Sequence, residues 1–106
     1  MTEKKSKMPE LSHFFLKLNP PRASFTTDMT AEERAIMQAH VLYWMPFVQD
    51  GTIIVLGPVA DPKGGYGIAI MGVPDRSRLD ELVAADPANG LCSYEIHPMR
   101  AVTKNP

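Results

Sequence analysis

The order of six short segments along the chain constrains the fold more than any other feature. The first segment alternates apolar and polar residues, as a strand with one buried face does, whereas the second repeats apolar residues at the spacing of a helical stripe. In order, the segments are a strand at Ser12–Asn19, a helix from Thr30 to Asp50-Gly51, strands at Thr52–Val59 and Tyr66–Val73, a helix from Asp75 to Asp86-Pro87, and a strand at Leu91–Met99.

Capping and breaking residues set the ends of the two helices. Thr30 and Glu33 have the spacing of a capping box, and Asp75 is a good N-cap directly after a proline. Pro46 lacks a backbone N–H, so the first helix is expected to kink or end early there. Asp86 is expected to close the last turn of the second helix, because the residue before a proline is pushed out of the helical region.

This order most often makes a four-stranded antiparallel sheet with both helices on one face, the ferredoxin-like βαββαβ arrangement of the α+β class. The middle strands are apolar on both faces at Ile53–Leu56 and Ile68–Met71, as strands covered on both sides are. Because a bare apolar sheet face is a liability for a monomer, we expect a homodimer in which two sheets pack face to face. The domain is predicted at residues 11–100, between a disordered tail at 1–10 and a polar tail at 101–106.

Composition excludes several classes of partner. The chain of 106 residues has a formal net charge of −1, without the basic excess on which nucleic-acid binding depends. Cys92 is the only cysteine, so no intramolecular disulfide and no CxxC metal or redox site can form. The first ten residues lack the apolar stretch of a signal peptide, and no apolar run is long enough to span a bilayer. We therefore expect a cytoplasmic protein with no membrane or nucleic-acid partner.

Two ionisable residues interrupt the apolar stripes of the helices. His40 lies between Ile36 and Trp44 on the stripe of the first helix, and Asp86 follows Val83 on the stripe of the second. A buried unpaired charge is strongly unfavourable, so each group needs a partner, and the simplest solution is that they pair with each other. Such a pair is a general acid/base, in which the carboxylate orients the imidazole and the free ring nitrogen moves a proton. A satisfied structural pair in the core is the alternative.

The order of several motifs resembles the YCII-related domain family of the dimeric α/β-barrel superfamily. These motifs are His40 followed by Tyr43-Trp44, then Gly57-Pro58, Gly67 and Asp86-Pro87, and the resemblance covers roughly Phe14 to Pro98. It implies a ferredoxin-like subunit, a homodimer and an active site built on His40 and Asp86, with Gly57 and Pro58 beside the pocket. Similarity to dehydrochlorinase-type enzymes of chloroaromatic breakdown points to proton-transfer chemistry.

The segment Pro20–Met29 has no clear period and is an insertion relative to the shortest members of that family, so pocket shape and substrate do not transfer from them. It is either a binding loop or a surface loop pinned by Phe25. Arg22 within it is a candidate to hold an anionic substrate, and Trp44 is a candidate substrate-binding residue close to His40.

Three functions remain open on these observations. The first is a homodimeric enzyme that catalyses cofactor-independent proton transfer on a small organic molecule, as a lyase or isomerase. The second is a non-catalytic dimeric module that binds a small ligand or a partner protein, and the third, which only the superfamily implies, is a cofactor-independent oxygenase. His13, Glu95 and His97 have no recognised metal-ligand spacing, so no metal site is predicted.

Overall fold

A computed structural model of the chain describes residues 10–104. The predicted disordered tail at 1–10 lies outside the described residues except for Glu10, and so do the last two residues of the predicted polar tail. Residues 101–104 form neither helix nor strand.

Four strands and three helices make up the described part of the chain. Their bounds are β1 Ser12–Asn19, α1 Phe25–Asp28, α2 Ala31–Gln49, β2 Ile53–Val59, β3 Tyr66–Val73, α3 Arg76–Ala84 and β4 Ser93–Met99. The strands form one sheet in the order β2-β3-β1-β4, and each neighbouring pair is antiparallel. This α+β architecture is consistent with the predicted ferredoxin-like topology. None of these three helices has both the length and the apolar character needed to cross a membrane.

One hydrophobic core lies between the sheet and the two longer helices. Alternate residues of β1, namely Phe14, Leu16 and Leu18, are buried, as the period-two pattern predicts. Trp44 of α2 and Leu79 of α3 are almost fully buried in the same cluster as the β1 side chains Phe14 and Leu16. Since both helices bury their side chains against the same face of the sheet, they form one layer above it.

Helix α2 begins after Thr30 and ends before Asp50, as its predicted capping residues indicate. The Thr30 hydroxyl accepts from the Glu33 N–H at 3.1 Å, and the Glu33 carboxylate accepts from the Thr30 N–H at 2.9 Å, which completes the capping box. Of the two outcomes expected at Pro46, a kink or an early end, the early end is wrong, because the helix continues to Gln49 and has Asp50 as its C-cap. The carbonyl that Pro46 leaves without a helical partner belongs to Leu42, which is 72% exposed, so water can bond it.

The segment Pro20–Met29 is anchored to the core and includes one turn of helix, α1. Phe25 is only 2% exposed, so the aromatic ring pins the segment, as one of the two interpretations of this loop proposed. The single turn was not predicted, because four residues are too few to carry a helical period.

Candidate functional site

Asp86 lies in a tight turn that follows α3, and not in the last turn of that helix as the sequence predicted. The helix ends at Ala84, and the Asp86 N–H donates to the Val83 carbonyl at 3.2 Å. Pro87 disfavours the helical conformation at Asp86, so the chain leaves the helix earlier than its apolar stripe indicates. The turn brings the carboxylate into contact with side chains of both α2 and β4.

Four groups donate hydrogen bonds to the Asp86 carboxylate. His40 Nδ1 lies 3.0 Å from Oδ1 and 2.9 Å from Oδ2, so the two residues that the sequence pairs are in direct contact. The indole N–H of Trp44 donates to Oδ2 at 3.0 Å, and the Tyr94 hydroxyl donates to the same oxygen. The Ala88 backbone N–H donates to Oδ1 at 2.9 Å. Because the Asp86 side chain is 0% exposed, these bonds replace all of its contact with water.

These donors determine the ionisation of Asp86. Burial alone would raise the pKa of Asp86, but the hydrogen bonds from His40, Tyr94, Ala88 and Trp44 outweigh burial and hold the pKa below its ordinary value. The carboxylate is therefore ionised at neutral pH and can only accept hydrogen bonds. Burial, together with the Asp86 charge, raises the pKa of Tyr94, so its hydroxyl keeps its proton and remains a donor.

An ionised Asp86 decides which nitrogen of His40 carries the proton. Nδ1 must hold a hydrogen in order to donate it to the carboxylate, so Nε2 is the acceptor in the neutral ring. Within residues 10–104, Nε2 makes no hydrogen bond, yet no buried side-chain nitrogen or oxygen in that range is left without a partner. Nε2 is therefore accessible from outside the packed interior.

His40 lines a cavity of about 400 Å³ between the sheet, α2 and the segment Pro20–Met29. Three other residues predicted for the site line the same cavity, namely Trp44, Gly57 and Pro58. The Asp86 carboxylate does not line it and instead contacts Nδ1 of His40. A molecule in the cavity can therefore reach His40 but not its carboxylate partner.

Arg22 is the one predicted substrate-binding residue that the structure does not bring to this cavity. Its guanidinium donates to the Asp28 carboxylate at 2.9 Å and to the two Glu33 oxygens at 2.7 Å and 2.9 Å. The hydrogen bonds from Arg22 and from Thr30 lower the pKa of Glu33 to about 2. Arg22 thus fastens the segment Pro20–Met29 to the first turn of α2, and its exposed side lines a separate open cleft beside Lys17.

Two residues of the site carried no predicted role there. Tyr94 lines the cavity, and its hydroxyl donates to Asp86. The sequence did contain a signal for this role, because a tyrosine on the inward face of a strand needs a partner for its hydroxyl. Cys92 was predicted as a small buried apolar residue and is 5% exposed, but it also lines the cavity. Burial raises the pKa of its thiol, so Cys92 is a neutral part of the wall at neutral pH.

The lowered pKa of Asp86 predicts a pH-dependent contribution to stability. The pKa of the Asp86 carboxyl is lower in the folded state than in the unfolded state, where it is about 3.9. Such a group stabilises the protein fully at pH values above its unfolded-state pKa. The stabilisation is lost as the pH falls through the folded-state pKa. The difference in free energy of unfolding between wild type and Asp86→Asn is therefore expected to shrink as the pH falls below about 4. Urea unfolding of both proteins across this range measures it, and a difference independent of pH would contradict the assignment.

The fold is of the α+β class and is consistent with the ferredoxin-like topology. Its His40 lines one small-molecule-sized cavity and is held by the buried carboxylate of Asp86 behind it. Residues 14–100 match the YCII-related domain, and the chain belongs to that family, which confirms the resemblance seen in its motifs. No curated protein matches the chain.

Proposed function

We propose that this protein is a small homodimeric enzyme that performs cofactor-independent acid/base chemistry, of lyase or isomerase type, on a small organic molecule. His40 is the general base and acid, and Asp86 orients its ring and stabilises the protonated form. The observation that carries the proposal is the environment of the imidazole. One nitrogen is held by a buried ionised carboxylate, and the other, in a ring that lines a cavity, makes no hydrogen bond to any residue from 10 to 104.

The simplest reaction at this geometry is the transfer of one proton. Nε2 of His40 takes a proton from a C–H or O–H group of the bound molecule, and the electron pair of that bond shifts into the substrate. In an isomerisation, the imidazolium returns the proton to another atom of the same molecule, so no atom is gained or lost. In an elimination, the electron pair expels a leaving group, and the imidazolium later gives its proton to that group or to water. Trp44, Gly57 and Pro58 contact the substrate in both cases.

The proposal is tested by following proton exchange with solvent. A panel of small ketones and lactones with acidic C–H bonds is incubated in D₂O with wild type, and proton NMR records the loss of the exchanging signals. We expect at least one compound to exchange faster with the protein than in buffer, and the same compound to exchange slowly with His40→Asn. A folded His40→Asn protein that exchanges the compound at the wild-type rate would remove His40 from the chemistry.

The runner-up is a non-catalytic module that binds a small ligand in the same cavity. The apolar character of most of the wall supports it, since such cavities serve binding proteins as well as enzymes. The two functions differ in one measurable property, because a binding module retains a compound without exchanging its protons. Ligands that bind and never exchange would favour the module.

The homodimer is part of the proposal because of the sheet face opposite the helices. Phe15, Ile68 and Ile70 are only half-buried on this face, and the neighbouring Val55 is 47% exposed. A monomer rarely leaves a contiguous apolar patch of this kind open to water, whereas a second copy with the same patch covers it by two-fold symmetry.

The dimer predicts the effect of a charge at the centre of this face. Ile70→Glu is expected to give a monomer, because it places a carboxylate where two copies of the same patch meet, between Phe15 and Val55. The control is Leu42→Glu, at a 72% exposed position on α2 away from the sheet, which is expected to remain a dimer. Sedimentation or light scattering at micromolar concentration measures both, and a monomeric wild type would contradict the dimer.

A further inference from the structure

The chemistry of the cavity wall restricts what can enter it. Of the side chains that line the cavity, none belongs to an aspartate, glutamate, lysine or arginine within residues 10–104. Apart from His40, the polar lining groups are hydroxyls, one thiol and one indole, and the Tyr94 hydroxyl and the Trp44 N–H already donate to Asp86. An ionised ligand group inside would meet no opposite charge except a protonated His40, whose charge the Asp86 carboxylate already balances.

Three cationic side chains outside the cavity, Arg22, Lys17 and Lys63, do not change this. Arg22 is held by the carboxylates of Asp28 and Glu33, and those bonds raise its pKa, so its charge is already balanced. Lys17 and Lys63 line the separate open cleft and do not line the cavity.

We propose that the cavity takes an uncharged and mainly apolar molecule, about the size of a substituted single ring, which presents one hydroxyl or acidic C–H group to His40. The volume of about 400 Å³ lies toward the lower end of small-molecule sites and admits a ligand of that size. This proposal names the substrate class of the site described above and so rests on the proposed function. It excludes carboxylates and ammonium compounds as the part of the substrate that is held in the cavity.

The experiment uses matched probes and the single tryptophan of the chain. Trp44 lines the cavity and is 1% exposed, so its fluorescence reports on an occupant. Cyclohexanol, cyclohexanecarboxylate and cyclohexylammonium share one ring and differ in charge, and each is titrated into the protein. We expect cyclohexanol to bind at least about tenfold more tightly than either ion, because neither ion finds a counter-charge in the cavity.

A charge added to the wall should change this preference. Met37 lines the cavity three residues before His40, and Met37→Lys is expected to raise the affinity for cyclohexanecarboxylate relative to cyclohexanol. The matched control is Met45→Lys, at a 36% exposed position on the same helix outside the cavity, which should leave the preference unchanged. Equal or tighter binding of the carboxylate to wild type would overturn the proposal, and so would a failure of cyclohexanol to bind at any concentration it can reach.

The result can be separated from that for the proposed function. Binding of the three probes to wild type is measured without turnover, so its outcome does not depend on whether His40 is the base. If cyclohexanol is preferred but proton exchange survives in His40→Asn, the substrate class stands and the role of His40 fails. If cyclohexanecarboxylate is preferred but proton exchange is lost in His40→Asn, the role of His40 stands and the substrate class fails.

Discussion

Asp86→Ala is expected to lower the free energy of unfolding by about 3–5 kcal/mol, the usual cost of removing one partner of a buried charged pair. The substitution leaves four donors without their acceptor: the ring of His40, the indole of Trp44, the hydroxyl of Tyr94 and the backbone N–H of Ala88. His40, Trp44 and Ala88 are buried and Tyr94 is half-buried, so these groups do not regain a full set of hydrogen bonds from water. A loss of this size is a large share of the stability of a domain of about 100 residues.

Urea denaturation followed by circular dichroism measures this loss, with Asp80→Ala as the matched control. Asp80 has a salt bridge to Arg76 on the surface of α3, where its side chain is 58% exposed, so its removal should cost only a small fraction as much. Asp86→Asn should fall between the two, because the amide keeps one acceptor oxygen but turns an NH₂ group toward donors. An Asp86→Ala protein as stable as Asp80→Ala would show that the carboxylate does not organise the site.

His40→Asn is expected to slow proton exchange into a responsive compound by about 10²–10⁴-fold, the usual contribution of a positioned general base. Asparagine has about the polarity of the imidazole but no nitrogen that can take a proton at neutral pH. The rate constant for exchange, compared at saturating compound, measures the loss, while the binding of the compound should change much less.

A second histidine provides the control for this loss. His97→Asn changes a 60% exposed side chain on β4, next to Glu95, and it should leave the exchange rate close to that of wild type. Asp86→Asn should slow exchange as well, because the ring loses the carboxylate that stabilises its protonated form. If His97→Asn slowed exchange as much as His40→Asn, the loss could not be assigned to the base.

Local patterns in the sequence were sufficient to predict the order of the four strands and the two longer helices. The alternation in Ser12–Asn19 matched the bounds of β1, and the spacing of Thr30 and Glu33 matched the start of α2. These features depend on neighbours a few residues apart, which a single sequence displays. The contact between His40 and Asp86 was also predicted, because each is an ionisable residue that interrupts an apolar helical stripe and therefore requires a partner.

The other features of the site depend on how distant parts of the chain pack. A local period in the sequence does not predict such packing. Tyr94 reaches Asp86 only because the turn after Ala84 brings the carboxylate to β4, and the sequence had placed Asp86 inside the helix. The role of Arg22 depends on the fold of Pro20–Met29, which sets its guanidinium against Glu33 and away from the cavity. The cavity itself is a gap between three elements, and its volume is not a property of any one of them.

The most direct test of the central claim, that Asp86 holds His40 for proton transfer at Nε2, is the tautomer of the ring. Long-range nitrogen–proton NMR distinguishes protonated from unprotonated ring nitrogens, and His40→Asn identifies the His40 signals among the three histidines. The predicted result for the neutral ring is a proton on Nδ1 and none on Nε2, with the proton distributed between the nitrogens in Asp86→Ala. A proton fixed on Nε2 in wild type would contradict the account, because the nitrogen proposed to accept the substrate proton would already be occupied.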